Sequence, residues 1–246
     1  MIAICASPLV RFRRPLRALA LCTLVLAGCR ARPNADGDER GSSASAEGGW
    51  HNLVNGTSLS GWHNFKTPGV APTGWAVVDG ELTRTGSGGD LTTDSQYGNF
   101  EMTLEWRVPP KGNSGVIYRI DPAAEVSYHS GPEMQILDDA GHPDGKSQLT
   151  AAGSDYGLYP APLGIVKPAM EWNSARLLVK GNHVEHWLNG VKVVDYELGS
   201  PDWAARVARA KFAQWSGYGR ASRGFIALQD HGNRVAFRNI RLRELP

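Results

Sequence analysis

Cysteine is scarce in this sequence: only three occur among 246 residues, at positions 5, 22 and 29. No cysteine follows Cys29, so no disulfide can cross-link the rest of the chain. The long region from Trp50 to Pro246 must therefore be stabilised by its own hydrophobic core. Zinc-ligand spacings, a phosphate-binding glycine loop and a nucleophile-elbow motif are also missing, which argues against the enzyme classes built on those motifs.

A hydrophobic run long enough to cross a membrane is missing as well. The apolar or small residues 18–28 are too few, because a spanning helix needs about 20. An arginine-rich segment at 11–17 precedes them, and the combination is typical of a signal peptide. The residues Leu26-Ala27-Gly28-Cys29 resemble the lipobox of bacterial lipoproteins. We therefore expect cleavage after residue 28 and lipidation of Cys29.

The stretch after the lipobox predicts a flexible tether. Residues 30–49 are rich in Gly, Ser, Ala, Asp and Glu and contain no large apolar residue. They cannot bury enough surface to offset the entropy of ordering them. The predicted organisation is a signal peptide at 1–28, a lipidated tether at 29–49 and one domain at 50–246.

The lipobox also predicts a location. We expect an exported lipoprotein, periplasmic or on the cell surface, that is anchored in a membrane. Arg30 follows the modified cysteine, where an inner-membrane retention signal would place Asp. This favours the outer membrane if the cell is Gram-negative.

A surplus of basic charge disappears with the signal peptide. The formal net charge is +2, but residues 1–28 hold four arginines and no acid, which leaves 22 basic against 24 acidic residues. Such a near-neutral domain lacks the electrostatic footprint of a nucleic-acid binder. Its attachment to a membrane would depend on the lipid and not on a basic patch.

The domain itself is dominated by strand and turn patterns. Residues 100–108 alternate apolar and polar side chains, which predicts a strand with one buried face, and Pro109-Pro110 ends it. Asp79-Gly80 and Asn189-Gly190 each separate two apolar runs, as in tight hairpins. Further strands are expected at 114–120, 133–137, 224–230 and 235–242, with a three-stranded meander over 176–194. Many short strands with regular turns predict an all-β, two-sheet antiparallel sandwich.

One short helix and one long loop complete the predicted fold. Ser200 can cap the helix, Pro201 suits its first turn, and good helix formers continue to Ala213. We expect this helix to cover the edge of the sandwich and to take no part in catalysis. Residues 138–167 are rich in Gly, Pro and Asp, and a long irregular loop in a compact domain is often functional.

The candidate site consists of polar side chains spaced two residues apart on predicted strands. They are Glu133 with Gln135, Gln229 with His231, Glu185 with Trp187, and Arg119 on the side opposite to Tyr118. Carboxylates and amides bind sugar hydroxyls, and an indole stacks on a pyranose ring, so this set suits a sugar site. Simpler explanations stay open at this point. Antiparallel sheets usually have a solvated polar face, and His142 and Asp144 are equally typical of a turn. The Gly112–Gly115 stretch is either a tight turn or part of the site.

A series of short motifs runs through nearly the whole domain, from about Leu53 to Leu242. They are Leu53-Val54-Asn55-Gly56, Leu59-Ser60-Gly61-Trp62, Gly89-Asp90-Leu91-Thr92-Thr93, Tyr97-Gly98-Asn99-Phe100-Glu101, Gly112-Asn113-Ser114-Gly115-Val116 with Arg119, Glu133-Met134-Gln135-Ile136-Leu137-Asp138, Gly141-His142-Pro143-Asp144, the meander through Asn189-Gly190, Gly224–Gly232 and Phe237-Arg238-Asn239-Ile240. In this order they resemble the 3-keto-disaccharide hydrolase family. Val54 stands where the family usually has Phe.

The resemblance implies a concanavalin A-like jelly roll and an enzyme that acts on sugars oxidised at C3. A ketone at C3 acidifies the C2 proton, so a base can remove that proton and the glycosidic oxygen at C1 can leave by elimination. Addition of water then completes a net hydrolysis. Some members of the family stop at the elimination, as lyases, with a divalent metal assisting.

This chemistry suggests roles for the candidate residues. The candidates are Glu133, His142 and His231 for the base, and Glu185 and His142 for the acid. A divalent metal of unknown identity would be held by Glu133, Gln135 and His231, or Arg119 would stabilise the enediolate without one. The candidates for substrate binding are Arg119, Gln135, Asp138, Trp187 and Gln229.

Two other functions stay open from the sequence. A non-catalytic carbohydrate-binding module would show affinity without turnover, and a conventional glycoside hydrolase would cleave unoxidised glucosides. Retaining glucanases use two strand-borne carboxylates about 5–5.5 Å apart. Here Leu137 occupies the position four residues after Glu133, and Asp138 has the wrong parity to share its face unless a bulge intervenes. This spacing disfavours a conventional two-carboxylate glycosidase.

Overall fold

The computed structural model describes residues 49–246, which form two antiparallel β-sheets and one α-helix. The elements are β1 (His51–Asn52), β2 (Trp62–Asn64), β3 (Trp75–Val78), β4 (Glu81–Arg84), β5 (Leu91–Thr93), β6 (Phe100–Arg107), β7 (Asn113–Ile120), β8 (Glu133–Leu137), β9 (Asn173–Lys180), β10 (His183–Leu188), β11 (Val191–Glu197), α1 (Pro201–Arg209), β12 (Phe225–Leu228) and β13 (Ala236–Glu244). The predicted all-β architecture with one short helix is confirmed.

The two sheets pack face to face as a sandwich of jelly-roll type. The eight-stranded sheet has the order β11-β10-β9-β6-β13-β4-β3, with β1 paired to β13, and the five-stranded sheet has the order β2-β5-β12-β7-β8. Apolar side chains from both inner faces form the core. The Tyr118 hydroxyl of β7 meets Nε2 of His186 on β10 at 3.0 Å, so a polar contact also joins the sheets inside the core. The predicted sandwich is therefore confirmed.

Alternation and turn chemistry explain the local structure. In β6, Met102, Leu104 and Trp106 enter the core, and Thr103 between them is only partly buried on the outer face. Both residues of the Asp79-Gly80 and Asn189-Gly190 turns have positive φ, which the tightest hairpin loops require. The β3–β4 hairpin and the β9–β10–β11 meander are thus formed as predicted.

Helix α1 begins as predicted and ends early. The Ser200 hydroxyl accepts the backbone N–H of Trp203 at 3.1 Å, which caps the first turn. The helix stops at Arg209 because Ala210 is extended, and a short 3-10 helix follows at Lys211–Gln214. A stack of aromatic rings fastens this region to the sandwich; its members are Tyr159, Tyr196, Trp203, Tyr218 and Phe212.

The long loop between β8 and β9 lies against the edge of the five-stranded sheet. The backbone N–H of Gln135 donates to the Ser154 carbonyl at 3.0 Å, and the backbone N–H of Tyr156 donates to the Glu133 carbonyl at 3.0 Å. The loop thereby extends the hydrogen bonding of β8 beyond the last strand of the sheet. This fixes its side chains relative to Glu133.

The predicted signal peptide, Cys29 and most of the tether lie outside the described residues. Within residues 49–246, no helix combines the length and the apolar character needed to span a membrane.

Candidate active site

A cavity of about 380 Å³ opens on the outer face of the five-stranded sheet. This volume is within the range of small-molecule sites, about 300–1,000 Å³. Its lining combines one carboxyl group, three amides, two basic side chains and three aromatic rings. The lining residues are Asn113, Tyr128, Glu133, Gln135, Tyr156, Lys211, Trp215, Gln229 and His231.

Glu133 forms the buried acidic group of this cavity. It lies opposite Ile117 in the β7–β8 pair, on the outer face of the sheet, and is only 8% exposed. Its carboxyl group fits because residue 115 is glycine: a Cβ there would lie 2.1 Å from Oε1 of Glu133. Burial raises the pKa of Glu133 to about 8, although the nearby Lys211 ammonium lowers it. Glu133 can therefore hold or release a proton near neutral pH.

Two glutamine side chains accompany Glu133. In the amide orientation that satisfies both of its ends, Gln135 donates to Oε1 of Glu133 at 3.1 Å and to the Ser114 carbonyl at 3.2 Å. Gln229 follows β12, and its backbone N–H donates to the Gly115 carbonyl at 2.9 Å. The Gln229 Oε1 atom is buried and has no hydrogen-bond partner within residues 49–246. The floor of the cavity therefore contains one buried polar atom that no group in the described part of the chain satisfies.

Three aromatic rings and a lysine also line the cavity. Trp215 stacks on the His129 ring at 4.1 Å between centroids, and Tyr128 meets Trp215 edge-on at 5.7 Å. The Lys211 ammonium lies 4.5 Å from the centre of the Tyr156 ring. Burial, together with nearby acidic groups, raises the pKa of Tyr156 to about 12. Tyr128 is 38% exposed whereas Glu133 is buried, so the cavity deepens from an aromatic mouth to an acidic floor.

A second acidic residue holds the loop that carries His231. The Asp90 carboxylate accepts the Asp230 backbone N–H at 2.8 Å, and its other oxygen bonds to the Ser127 hydroxyl. Burial raises the pKa of Asp90. His231 itself is exposed at the rim of the cavity. Strand β12 ends at Leu228, so the position of His231 depends on this loop and not on the predicted strand alternation.

Four of the sequence-predicted residues therefore meet in this cavity: Glu133, Gln135, Gln229 and His231. Asn113 also lines the cavity. It belongs to the Gly112–Gly115 stretch, which the sequence left as either a tight turn or part of the site. The sequence patterns missed Tyr128, Tyr156, Lys211 and Trp215, because all four lie outside the strands. The available signal was the presence of aromatic residues in otherwise polar loops. Lys211 falls within the predicted helix but after the end of α1, and α1 itself contributes no residue to the lining.

His142 and Asp138 are in the long loop, but their side chains stabilise turns. The Asp138 carboxylate accepts the Lys111 backbone N–H at 2.7 Å. The Nδ1 atom of His142 accepts the Asp144 backbone N–H at 3.2 Å and caps the 3-10 turn at Pro143–Lys146. Neither residue lines the cavity. The turn explanation is therefore the one that the structure favours.

Arg119, Glu185 and Trp187 are not brought to the cavity either. Arg119 is buried at a bulge with a φ of 50°, and its guanidinium donates to the Gly98 and Gly181 carbonyls. Glu185 and Trp187 alternate with the core residue His186, so they point away from the core on the eight-stranded sheet. Period-two spacing identified the correct kind of face, but this face belongs to the other sheet.

The cavity does not offer the ligands that a divalent cation prefers. Glu133 is its single carboxyl group, and the Lys211 ammonium already supplies a positive charge beside it. In residues 49–246, three His, Asp or Glu ligand atoms approach one another only at His183, Glu185 and Asp195, on the other sheet. Lys192 occupies that cluster through ion pairs with both acids. The metal at Glu133, Gln135 and His231 stays a prediction.

A family model of the 3-keto-alpha-glucoside-1,2-lyase-like domain matches residues 49–243. The chain belongs to this family. A relative named 3-keto-disaccharide hydrolase, from Bacteroides thetaiotaomicron, is 33% identical, and the match covers 80% of this chain and 79% of the relative. The predicted family is therefore confirmed.

Two solved structures are similar to this chain in sequence and fold. A protein from Parabacteroides distasonis, named as a candidate glycosyl hydrolase, is 33% identical and has a TM-score of 0.73 over 80% of this chain and 94% of its own. A second protein with that name from the same organism is 29% identical and has a TM-score of 0.63 over 80% and 99% of the two chains. The match to the family model, over residues 49–243, covers nearly the whole of the described region.

Proposed function

We propose that this protein cleaves the glycosidic bond of 3-keto-glycosides, and that Glu133 removes the C2 proton in the cavity described above. The observation that carries this proposal is a buried carboxyl group whose pKa is raised to about 8, at the floor of a cavity lined by amides and aromatic rings. Membership of the family and the name of the Bacteroides relative support the substrate class.

The base must be strong enough to remove the proton from C2. The ketone at C3 lowers the pKa of the C2 proton, but that proton stays far less acidic than an ordinary carboxylic acid. A carboxylate whose pKa lies near 8 is a stronger base than one at its usual value of 4.5, and it is still ionised in part at neutral pH. Gln135 donates to Oε1 of Glu133, and a hydrogen bond from the Gln229 side chain also reaches this carboxyl group, so two amides hold the proposed base in place.

The electrons released at C2 need a positive partner. Proton removal places negative charge on the C3 oxygen as the enediolate forms. The Lys211 ammonium lines the same cavity and lowers the pKa of Glu133, so it lies close enough to stabilise this charge. In this proposal Lys211 takes the electrostatic role that the sequence assigned to a metal or to Arg119.

Elimination then completes the cleavage. The electron pair of the enediolate forms the C1–C2 double bond while the C1–O bond breaks, and the departing oxygen takes a proton. His231 at the rim is the candidate acid, since Glu185 and His142 lie elsewhere. Trp215 and Tyr128 at the mouth would bind the leaving group by stacking. Addition of water across the double bond would give net hydrolysis, and release of the unsaturated sugar would make the enzyme a lyase.

The test compares a 3-keto-glucoside with the matching ordinary glucoside, using residues 1–246 with and without added divalent metal or chelator. Mass analysis in D₂O reports deuterium at C2 of the recovered substrate and of the hydrolysis product, whereas the unsaturated lyase product has no hydrogen at C2. We expect turnover of the keto substrate alone, with C2 exchange, and turnover that survives the chelator. Loss of activity with chelator would favour the metal-dependent mechanism over the role of Lys211. Turnover of the ordinary glucoside would identify a conventional glycosidase.

Two matched variants locate the reaction. Glu133→Gln removes the base and is expected to lower kcat by about 10²–10⁴-fold, the usual contribution of a positioned base. Glu185→Gln makes the same chemical change on the opposite sheet and should retain activity. Equal losses in both variants, or full activity in Glu133→Gln, would contradict the proposed base. Sugar binding without any turnover would leave a carbohydrate-binding module.

A further inference from the structure

We propose that the outer face of the eight-stranded sheet binds an acidic saccharide in a groove distinct from the Glu133 cavity. The groove has a volume of about 550 Å³ and crosses β9, β6 and β13. The residues used below are Asn52, Thr103, Arg176, Trp187, Asn239 and Arg241, all of which line it.

The groove follows one row of cross-strand neighbours. Trp187 pairs with Arg176, Arg176 with Thr103, and Thr103 with Arg241. Adjacent strands are about 4.8 Å apart, so this row of four strands spans about 14 Å. Thr103 forms a low floor between the long side chains of Trp187 and Arg241 at the two ends. The dimensions suit a saccharide of more than one ring.

The lining provides the groups that recognise sugars. The Arg176 guanidinium lies 4.9 Å from the Trp187 ring centre and holds the indole beside the groove. The Oγ1 atom of Thr103 is buried and lacks a hydrogen-bond partner within the described part of the chain. Asn52 and Asn239 are exposed at the rim and present amides. A stacking ring and two exposed amides together match the apolar face and the hydroxyl groups of a sugar.

The charge of the groove favours an acidic ligand, because two arginines line it with a single carboxylate, Glu105. Arg176 and Arg243 both contact the Glu101 carboxylate, and Arg238 contacts Glu105. Arg241 instead lies over the Trp50 ring at 5.6 Å and meets no carboxylate within residues 49–246. A guanidinium without an internal counter-ion matches the planar carboxylate of a uronic acid or a sulfate ester.

This groove cannot share its ligand with the cavity. Trp187 projects from the outer face of one sheet, Glu133 lies on the outer face of the other, and the core separates them. A saccharide in the groove would therefore be held without reaching Glu133. Such a site would keep the enzyme on an acidic glycan while the opposite face acts on small keto-sugars.

The experiment is calorimetric titration of the protein with three probes: an oligogalacturonate, a neutral cello-oligosaccharide and inorganic sulfate. We expect the acidic oligosaccharide to bind more tightly than either of the others. Arg241→Ala and Trp187→Ala should each weaken this binding by about tenfold or more. Trp172→Ala is the matched control, because Trp172 also lies under arginines on this face but does not line the groove. Arg220→Ala controls for the loss of one exposed positive charge.

Several results would overturn the proposal. No binding of the oligogalacturonate would do so, as would binding that survives both groove variants. Equal affinity for the neutral oligosaccharide would show that Arg241 does not select an acidic ligand. Displacement of the oligogalacturonate by sulfate alone would show that the groove binds an anion and not a saccharide. Loss of binding in Glu133→Gln would place the ligand in the cavity instead. Thermal unfolding of each variant shows whether a loss of binding reflects a loss of the fold.

Discussion

Replacing the proposed base should make the protein more stable at neutral pH. Burial raises the pKa of Glu133 from 4.5 to about 8, so between these values the folded state holds a proton that the unfolded state has released. This contribution to stability is therefore complete below pH 4.5 and is lost as the pH rises towards 8. Each pH unit in this window lowers the free energy of unfolding by about 1.4 kcal/mol. At pH 7 the loss is about 3 kcal/mol.

Glu133→Gln cannot ionise and should escape this loss. Its amide oxygen can still accept from Gln135. We therefore expect the variant to be more stable than the natural protein by about 3 kcal/mol at pH 7 and equally stable near pH 4.5. For a domain of this size the difference corresponds to roughly 6–12 °C in Tm.

The assay is thermal unfolding from about pH 2 to pH 8, followed by near-ultraviolet circular dichroism, with activity measured in parallel. Glu185→Gln is a control of opposite sign. Burial raises the pKa of Glu185, but hydrogen bonds from Trp187, Lys192 and His183 lower it to about 2. Its ionised form therefore stabilises the fold above pH 4.5, and this stabilisation fades as the pH falls towards 2. A Glu133→Gln variant that is less stable at pH 7, or that differs from the natural protein by the same amount at every pH, would refute the reasoning.

Three further variants test the geometry of the cavity. Gly115→Ala places a Cβ 2.1 Å from Oε1 of Glu133, so we expect the free energy of unfolding to fall by about 1–3 kcal/mol and kcat to decrease. In Gly86→Ala the nearest atom to the new Cβ is 3.9 Å away, so denaturation and rate assays should show no change. Lys211→Met removes the cation that lowers the pKa of Glu133, so the rise of kcat/KM with pH should move to higher pH. An unchanged pH profile would exclude an electrostatic interaction between Lys211 and Glu133. Trp215→Ala should raise KM more than it lowers kcat for substrates with a sugar leaving group and should have less effect on a methyl glycoside; equal effects on both would contradict stacking of the leaving group.

Local patterns in the sequence determined much of the fold. The alternation in β6, the two-residue hairpin turns and the Ser200 cap are all found where the sequence predicts them. These features depend on neighbours along the chain, because side-chain period, positive φ and capping act over a few residues. The same local logic placed Glu133 and Gln135 together on one face of β8.

Only the tertiary structure decided which faces meet. Period-two spacing is the same for Glu133 in the five-stranded sheet and for Glu185 in the eight-stranded sheet, but these side chains lie on opposite sides of the core. Strand order is a property of long-range pairing, which no local pattern encodes. Lys211 and Trp215 reach the cavity because a stack of distant aromatic rings fixes their segment, and the raised pKa of Glu133 follows from the burial that this packing produces. The sequence therefore identified the acidic residue, and the packing of distant segments made it a candidate base.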